Sequence, residues 1–122
     1  MTARVLVMLL LSIVLGAGGQ LLFKAAARSL PSVTDGGVMR LVIAMFTTPL
    51  VLTGFAAFFV SSVLWIVALR TVPLSVAYPM VALSYIIIFT GSYFLFGEAL
   101  SWRHWLGALL IVAGILLVTW RN

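Results

Sequence analysis

Gln20 and Lys24 stand four residues apart at one end of an apolar run. Ser12, Gly16, Gln20 and Lys24 recur every four residues, and on a helix such a series lines one side. Ala17, Gln20, Lys24 and Ala27 likewise share a helical face. Small residues there let a second helix come close, which turns the amide and the ammonium toward a bundle interior. Together they offer hydrogen bonds and a positive charge to an anionic headgroup. The plainer alternatives are an interhelical hydrogen bond for Gln20 and a snorkelling lysine for Lys24. Tyr78 and Tyr85, seven residues apart, share a face with Ser84 beside them. Tyr85 lies too deep in its run for an interfacial belt, so the pair either lines a cavity or packs. Trp65 lies inside another apolar run, and its indole N–H needs a partner. It either packs between helices or borders a polar path.

Other chemistries are excluded by what is missing. The 122 residues hold one His, no Cys and two acids, Asp35 and Glu98. That removes thiolate and disulfide chemistry and leaves no metal-ligand set within one chain. There is no nucleophile–base pair at useful spacing and no Gly-rich Lys-Ser/Thr nucleotide motif. An enzyme is not expected, nor a cofactor. Neither acid falls within an apolar run. A proton-coupled cation antiporter trades its proton at a membrane carboxylate, and this chain has none of its own to offer.

The elements that must position these residues follow from composition. Hydrophobic residues make up 65% of the chain and charged ones 7%, with a mean hydropathy of +1.32. A soluble domain is about a quarter charged, so a soluble enzyme domain, a disordered chain and a nucleic-acid module are all excluded. The net charge of +5 is spread singly between apolar runs, as suits interfacial anchors. A membrane helix needs about 20 apolar residues. Four runs qualify: residues 5–23, 49–69, 74–96 and 104–120. The first is too long for a cleaved signal sequence, although Ala25-Ala26-Ala27 follows it. The expected fold class is therefore all-α, an integral membrane four-transmembrane-helix bundle in one domain, residues 1–122.

Local signals refine this frame. Pro49 suits a first helical turn and Ser101 an N-cap. Residues 41–46 either extend the second span or lie along the interface. The long connection over residues 25–48 contains Pro31, Asp35 and Gly36-Gly37, a turn signal. Pro79 removes a backbone hydrogen bond inside the third span. Trp102, Trp105 and Trp120 fall at span ends, as belt residues do. Glu98 is expected to pair with Arg103. Arg103 and His104 open a helix whose dipole disfavours cations, which points to that acid or to a bound anion. Gly107 and Gly114, seven apart with Ala113 adjacent, form a smooth stripe for helix–helix contact and mark a dimer interface, unless they pack within the chain. With four spans the termini share one side, with Arg4, Arg70 and Arg121. The other side carries Lys24, Arg28, Arg40 and Arg103. Three cations against four, or three against three with Lys24 inside the membrane, do not fix orientation; either the insertion machinery or a partner settles it, or, as the sharper expectation, copies insert both ways and pair antiparallel.

Several stretches resemble the drug/metabolite transporter superfamily, in its EamA and small multidrug resistance branches. They are Gln20-Leu21-Leu22-Phe23-Lys24, Val72-Pro73-Leu74-Ser75-Val76-Ala77-Tyr78-Pro79, Gly97-Glu98-Ala99-Leu100, and Trp105-Leu106-Gly107 through Ala113-Gly114. Small multidrug resistance proteins carry an essential first-span glutamate, and the matching position here is Gly16. A closer resemblance is to the small subunits that flip aminoarabinose linked to undecaprenyl phosphate. It rests on Gly19-Gln20-Leu21 to Lys24, on Val76-Ala77-Tyr78-Pro79-Met80, and on Arg103-His104-Trp105 with Gly107. That resemblance implies an inner-membrane transporter: a flippase, or a subunit of one, for a polyprenyl-phosphate-linked sugar such as an aminosugar. Lys24 would meet the phosphate, with Arg28 and Arg103 behind it. Gln20, Ser84, Tyr78, Tyr85 and Trp65 would bind the sugar or line its path. The partners implied are the bilayer and either a second copy in antiparallel arrangement or a related small four-span subunit, not nucleic acid. Two rival readings remain. An exporter of small cations or metabolites requires a buried acid. A non-transporting assembly subunit would need Gly107 and Gly114 but not Gln20 or Lys24.

Overall fold

A computed structural model describes residues 2–34 and 36–120. Asp35, Arg121 and Asn122 lie outside these, so the expectations placed on the Asp35 loop acid and the Arg121 topology charge lie there too. The described residues form six helices: α1 (Ala3–Ala27), α2 (Gly37–Thr47), α3 (Pro49–Leu69), α4 (Leu74–Met80), α5 (Leu83–Phe96) and α6 (Trp102–Thr119). Four stretches are long and apolar enough to cross a bilayer: α1, α3, α4 and α5 taken together as Leu74–Phe96, and α6. The protein is an all-α, multi-pass membrane protein.

Helix ends are set by caps and prolines, and hydropathy misjudges them slightly. The Thr2 hydroxyl accepts from the Val5 N–H at 3.3 Å, so α1 starts before the apolar run. Good helix formers carry it through Lys24 to Ala27, beyond the expected 5–23. Ser101 caps α6 as expected, which begins it at Trp102 and not at 104, and it ends at Thr119. Pro49 opens α3. Thr48 before it is extended, with φ −89° and ψ 121°. Its hydroxyl donates to the Ala44 carbonyl at 2.6 Å. Residues 41–46 therefore do not extend the second span. They belong to α2, a helix within what the sequence suggested was a turn-bearing connection. Phe46 stacks on Phe55 at 5.8 Å, while Val38, Met39, Val42 and Ile43 stay exposed. An exposed apolar face of this kind suits a helix resting on a bilayer surface.

The pair α1–α3 crosses where glycines permit it. A Cβ on Gly19 would sit 2.8 Å from a Phe58 ring carbon and 3.2 Å from the Gly54 carbonyl oxygen. A Cβ on Gly54 would sit 2.6 Å from the Phe23 ring. Phe23 stacks on Phe58 at 5.6 Å and meets Phe55 edge-on at 5.1 Å. Nearer the other membrane face, Leu9, Ile13, Ala68, Val72, Ala77, Met80 and Ile115 form a buried cluster. It ties α1, α3, α4 and α6 together. The outer face of α6, including Leu109, Leu110, Leu116 and Leu117, is exposed.

Candidate functional site

The site begins with two serines. Ser12 on α1 and Ser61 on α3 are buried, and each hydroxyl donates to the other residue's carbonyl, at 2.8 Å and 2.6 Å. In a bilayer such bonds are how hydroxyls are satisfied. The clasp fixes two helices side by side one turn from Gly16, where a Cβ would lie 3.3 Å from the Ser61 Oγ. The smallness of Gly16 leaves room above the clasp.

The third span supplies the opposite wall. Pro79 lacks the N–H that would bond the Ser75 carbonyl. Beyond it the backbone tightens: Val81 N–H donates to the Tyr78 carbonyl, Ala82 to Pro79, Ser84 to Val81 and Tyr85 to Ala82, all at 2.9–3.1 Å. These three-residue bonds replace four-residue ones and interrupt the span between α4 and α5. The sequence foresaw a proline in the third span. The structure adds that the span divides into two helices there.

Between these walls lies a cavity of about 670 Å³, lined from α1 by Ser12, Gly16 and Gln20, from α3 by Ser61, Ser62 and Trp65, and from the third span by Tyr78, Pro79, Ser84 and Tyr85. Phe58, Ile13, Ala17 and Ile88 add apolar surface. The cavity lies at mid-span on α1 and reaches toward the end of the bundle that holds the termini. The side chains of Gln20, Ser62, Trp65, Tyr78, Ser84 and Tyr85 make no hydrogen bond to the described protein, so their polar atoms are available to a ligand. No charged residue is in the lining. Tyr78 is 67% and Tyr85 53% exposed, so the wall they form is an open edge toward the surroundings of the bundle.

Gln20, Trp65, Tyr78, Ser84 and Tyr85, picked from sequence, thus converge on one cavity. The three cations do not. Lys24 is exposed one turn beyond Gln20 on α1. Arg28 lies with its guanidinium carbon 5.5 Å from the Phe96 ring centre. Arg103 lies 5.7 Å from the Trp102 ring centre and borders a separate pocket of about 300 Å³ with Phe89, His104, Gly107 and Ile111. All three mark the end of the bundle opposite the termini.

The expected Glu98–Arg103 pair does not form. The helix start is satisfied otherwise: the Ser101 N–H donates to His104 Nδ1 at 3.2 Å, and the Ser101 hydroxyl accepts from the Arg103 N–H at 3.3 Å. The Ser101–His104 pair thus forms a reciprocal cap at the start of α6. Gly107 and Gly114 have open space where a Cβ would point, so intrachain packing does not occupy them. Sequence reading missed Ser61, Ser62 and Phe58 as site residues. The Ser61-Ser62 pair inside an apolar span was the available signal.

A model of the EamA-like transporter family matches residues 2–120. The chain belongs to the EamA-like transporter family. Among curated relatives of this family member, the probable 4-amino-4-deoxy-L-arabinose-phosphoundecaprenol flippase subunit ArnE of Salmonella paratyphi B is 36% identical over 112 residues, which cover 92% of this chain and 94% of the relative. The proteins of the same name from Salmonella schwarzengrund and Salmonella typhimurium match at the same identity and coverage. No solved structure matches.

Proposed function

We propose that this chain is a flippase subunit that carries a polyprenyl-phosphate-linked sugar, and an amino sugar in particular, across the inner membrane. The observation that carries this reading is the mid-membrane cavity of free hydroxyl, amide and indole groups with an open tyrosine edge. The task is physical. A polar headgroup must cross about 30 Å of hydrocarbon, while the prenyl tail stays in lipid. That requires a polar groove open at the side. Hydroxyls and an amide suit a sugar, since they donate and accept equally well. Lys24, Arg28 and Arg103 gather at one end, where a phosphate approaches from the surface. Lys24 is nearest the cavity, about 6 Å along the helix from Gln20.

One chain offers one wall of a path. A second copy in antiparallel arrangement, or a related four-span subunit, would complete an inverted repeat, the arrangement that supports alternating access to a midplane site. The open faces of Gly107 and Gly114 are the surface for that contact. The names of the relatives support both the lipid-linked amino sugar and the subunit role. The test is headgroup accessibility of the lipid carrier in proteoliposomes. Wild type is expected to expose the headgroup on the far leaflet and Lys24→Ala to slow this. Unchanged movement in Lys24→Ala would remove Lys24 from the site.

A further inference from the structure

We infer that the pocket between α5 and α6 binds an anionic phospholipid of the surrounding leaflet by its phosphate, at a site apart from the central cavity of the flippase reading. His104, Gly107 and Ile111 follow one another on α6 at steps of three and four residues, so they share one face. Phe89 of α5 closes the other side, its ring 5.4 Å from the His104 ring and nearly perpendicular to it. With Arg103 these residues line about 300 Å³. Gly107 makes the notch: a Cβ there would point into open space, so no side chain fills the gap between His104 and Ile111. No lining residue is shared with the central cavity. None of the α5 residues is fully buried, and a lipid seated in the notch would tie that helix to α6.

The chemistry of the pocket changes along its length. Its mouth lies at headgroup depth, because the exposed Trp102 and Trp105 flank Arg103 and His104, and tryptophans of a membrane helix settle at the interface. Arg103 is exposed there, and no carboxylate among the described residues pairs with its guanidinium. The His104 Nδ1 receives the Ser101 N–H at 3.2 Å, so the neutral ring carries its proton on Nε2, a second donor. The anion found at that depth is a lipid phosphate, and a guanidinium binds it through paired N–H groups. Basic pockets between membrane helices take anionic headgroups in this way. From His104 to Ile111 is about 10 Å along the helix. Below the mouth, Phe89, Gly107 and Ile111 form an apolar bed for the upper carbons of an acyl chain. Cation above and hydrocarbon below match the polarity of a phospholipid. The lining holds no carboxylate, so the ammonium of a zwitterionic headgroup finds no counter-charge there, and a net anionic lipid is preferred.

The experiment uses the full chain in phosphatidylcholine nanodiscs with rising fractions of phosphatidylglycerol. Native mass spectrometry counts the lipids retained, and thermal unfolding is followed on the same preparations. Phosphatidylglycerol is expected to be held on the order of ten-fold more tightly than phosphatidylcholine and to raise the unfolding midpoint as it binds. Arg103→Gln is expected to abolish both the preference and the rise. Arg4→Gln, exposed at the opposite end of the bundle, should leave both unchanged. Phosphatidylglycerol with a diazirine near the glycerol end of its acyl chain is expected to label Phe89 and Ile111 of the wild type. Equal retention of the two lipids, or an equal loss in Arg103→Gln and Arg4→Gln, would overturn the inference. Labels confined to other helices would overturn it without recourse to a variant. Displacement of phosphatidylglycerol by equimolar polyprenyl phosphate would overturn it in favour of a cargo site, and displacement by inorganic phosphate in favour of a site for a free anion. The flippase reading survives each of these outcomes, since the two sites share no residue.

Discussion

At the scale of single residues, the Ser12–Ser61 clasp joins the stability of the bundle to the floor of the cavity. Ser12→Ala and Ser61→Ala are each expected to cost about 0.5–1.7 kcal/mol, the range of hydrogen bonds between membrane helices. The double variant should cost less than the sum, because the two hydroxyls share one network. Unfolding of the purified chain in mixed micelles checks both statements. Gly19 is expected to be less tolerant. A valine there must displace the Phe58 ring and the Gly54 backbone, at about 1–3 kcal/mol, while valine at the open Gly114 should leave the monomer's stability unchanged. The polar cavity residues were legible in sequence because polar groups are rare and conspicuous in an apolar span. Gln20, Tyr78, Ser84, Tyr85 and Trp65 announce themselves that way. The cations were legible as charges, but not their distance from the cavity, since only the crossing of α1 and α3 sets which turn of α1 faces inward. Ser61 and Ser62 were overlooked because serine is common in membrane helices and its role depends on what stands opposite.

At the scale of elements, the number and order of spans followed from run length alone, but the shape of the third span did not. A proline in a helix signals a lost bond, and the three-residue bonds over residues 81–85 that divide α4 from α5 depend on packing around it. Pro79→Ala restores the N–H to the Ser75 carbonyl and is expected to favour one continuous helix. Transport should fall several-fold while the fold is kept, because the tyrosine wall depends on the break. Flipping rate and thermal unfolding of the same preparation separate the two effects. Helix α2 was hidden in sequence because eleven residues cannot span a membrane and its connection begins with turn residues. The chain has no cysteine, so single labels can be placed cleanly. A spin label at Met39→Cys is expected to meet oxygen dissolved in lipid in preference to a water-soluble relaxant. The reverse preference would lift α2 off the bilayer.

At the scale of the whole molecule, the cations and the neutral hydrogen-bonding groups occupy different depths of the bundle. Cations gather at one end, around Lys24, Arg28 and Arg103, and neutral hydrogen-bonding groups occupy the middle. The arrangement fits a carrier whose cargo remains tethered to the membrane by its tail. The exposed outer face of α6 and its open glycines leave a surface for a second four-span chain. Gly107→Leu is expected to weaken that association without touching the cavity, which size-exclusion in detergent together with cross-linking in membranes would register. The central claim is that the neutral cavity holds the headgroup. It is tested most directly by photolabelling: a polyprenyl-phosphate-linked amino sugar with a diazirine on the sugar is irradiated with the protein in nanodiscs, and the adducts are mapped. The account predicts adducts on Gln20, Trp65, Ser84 and Tyr85. Adducts confined to the outer face of α6, at Leu109, Leu110, Leu116 and Leu117, would contradict it.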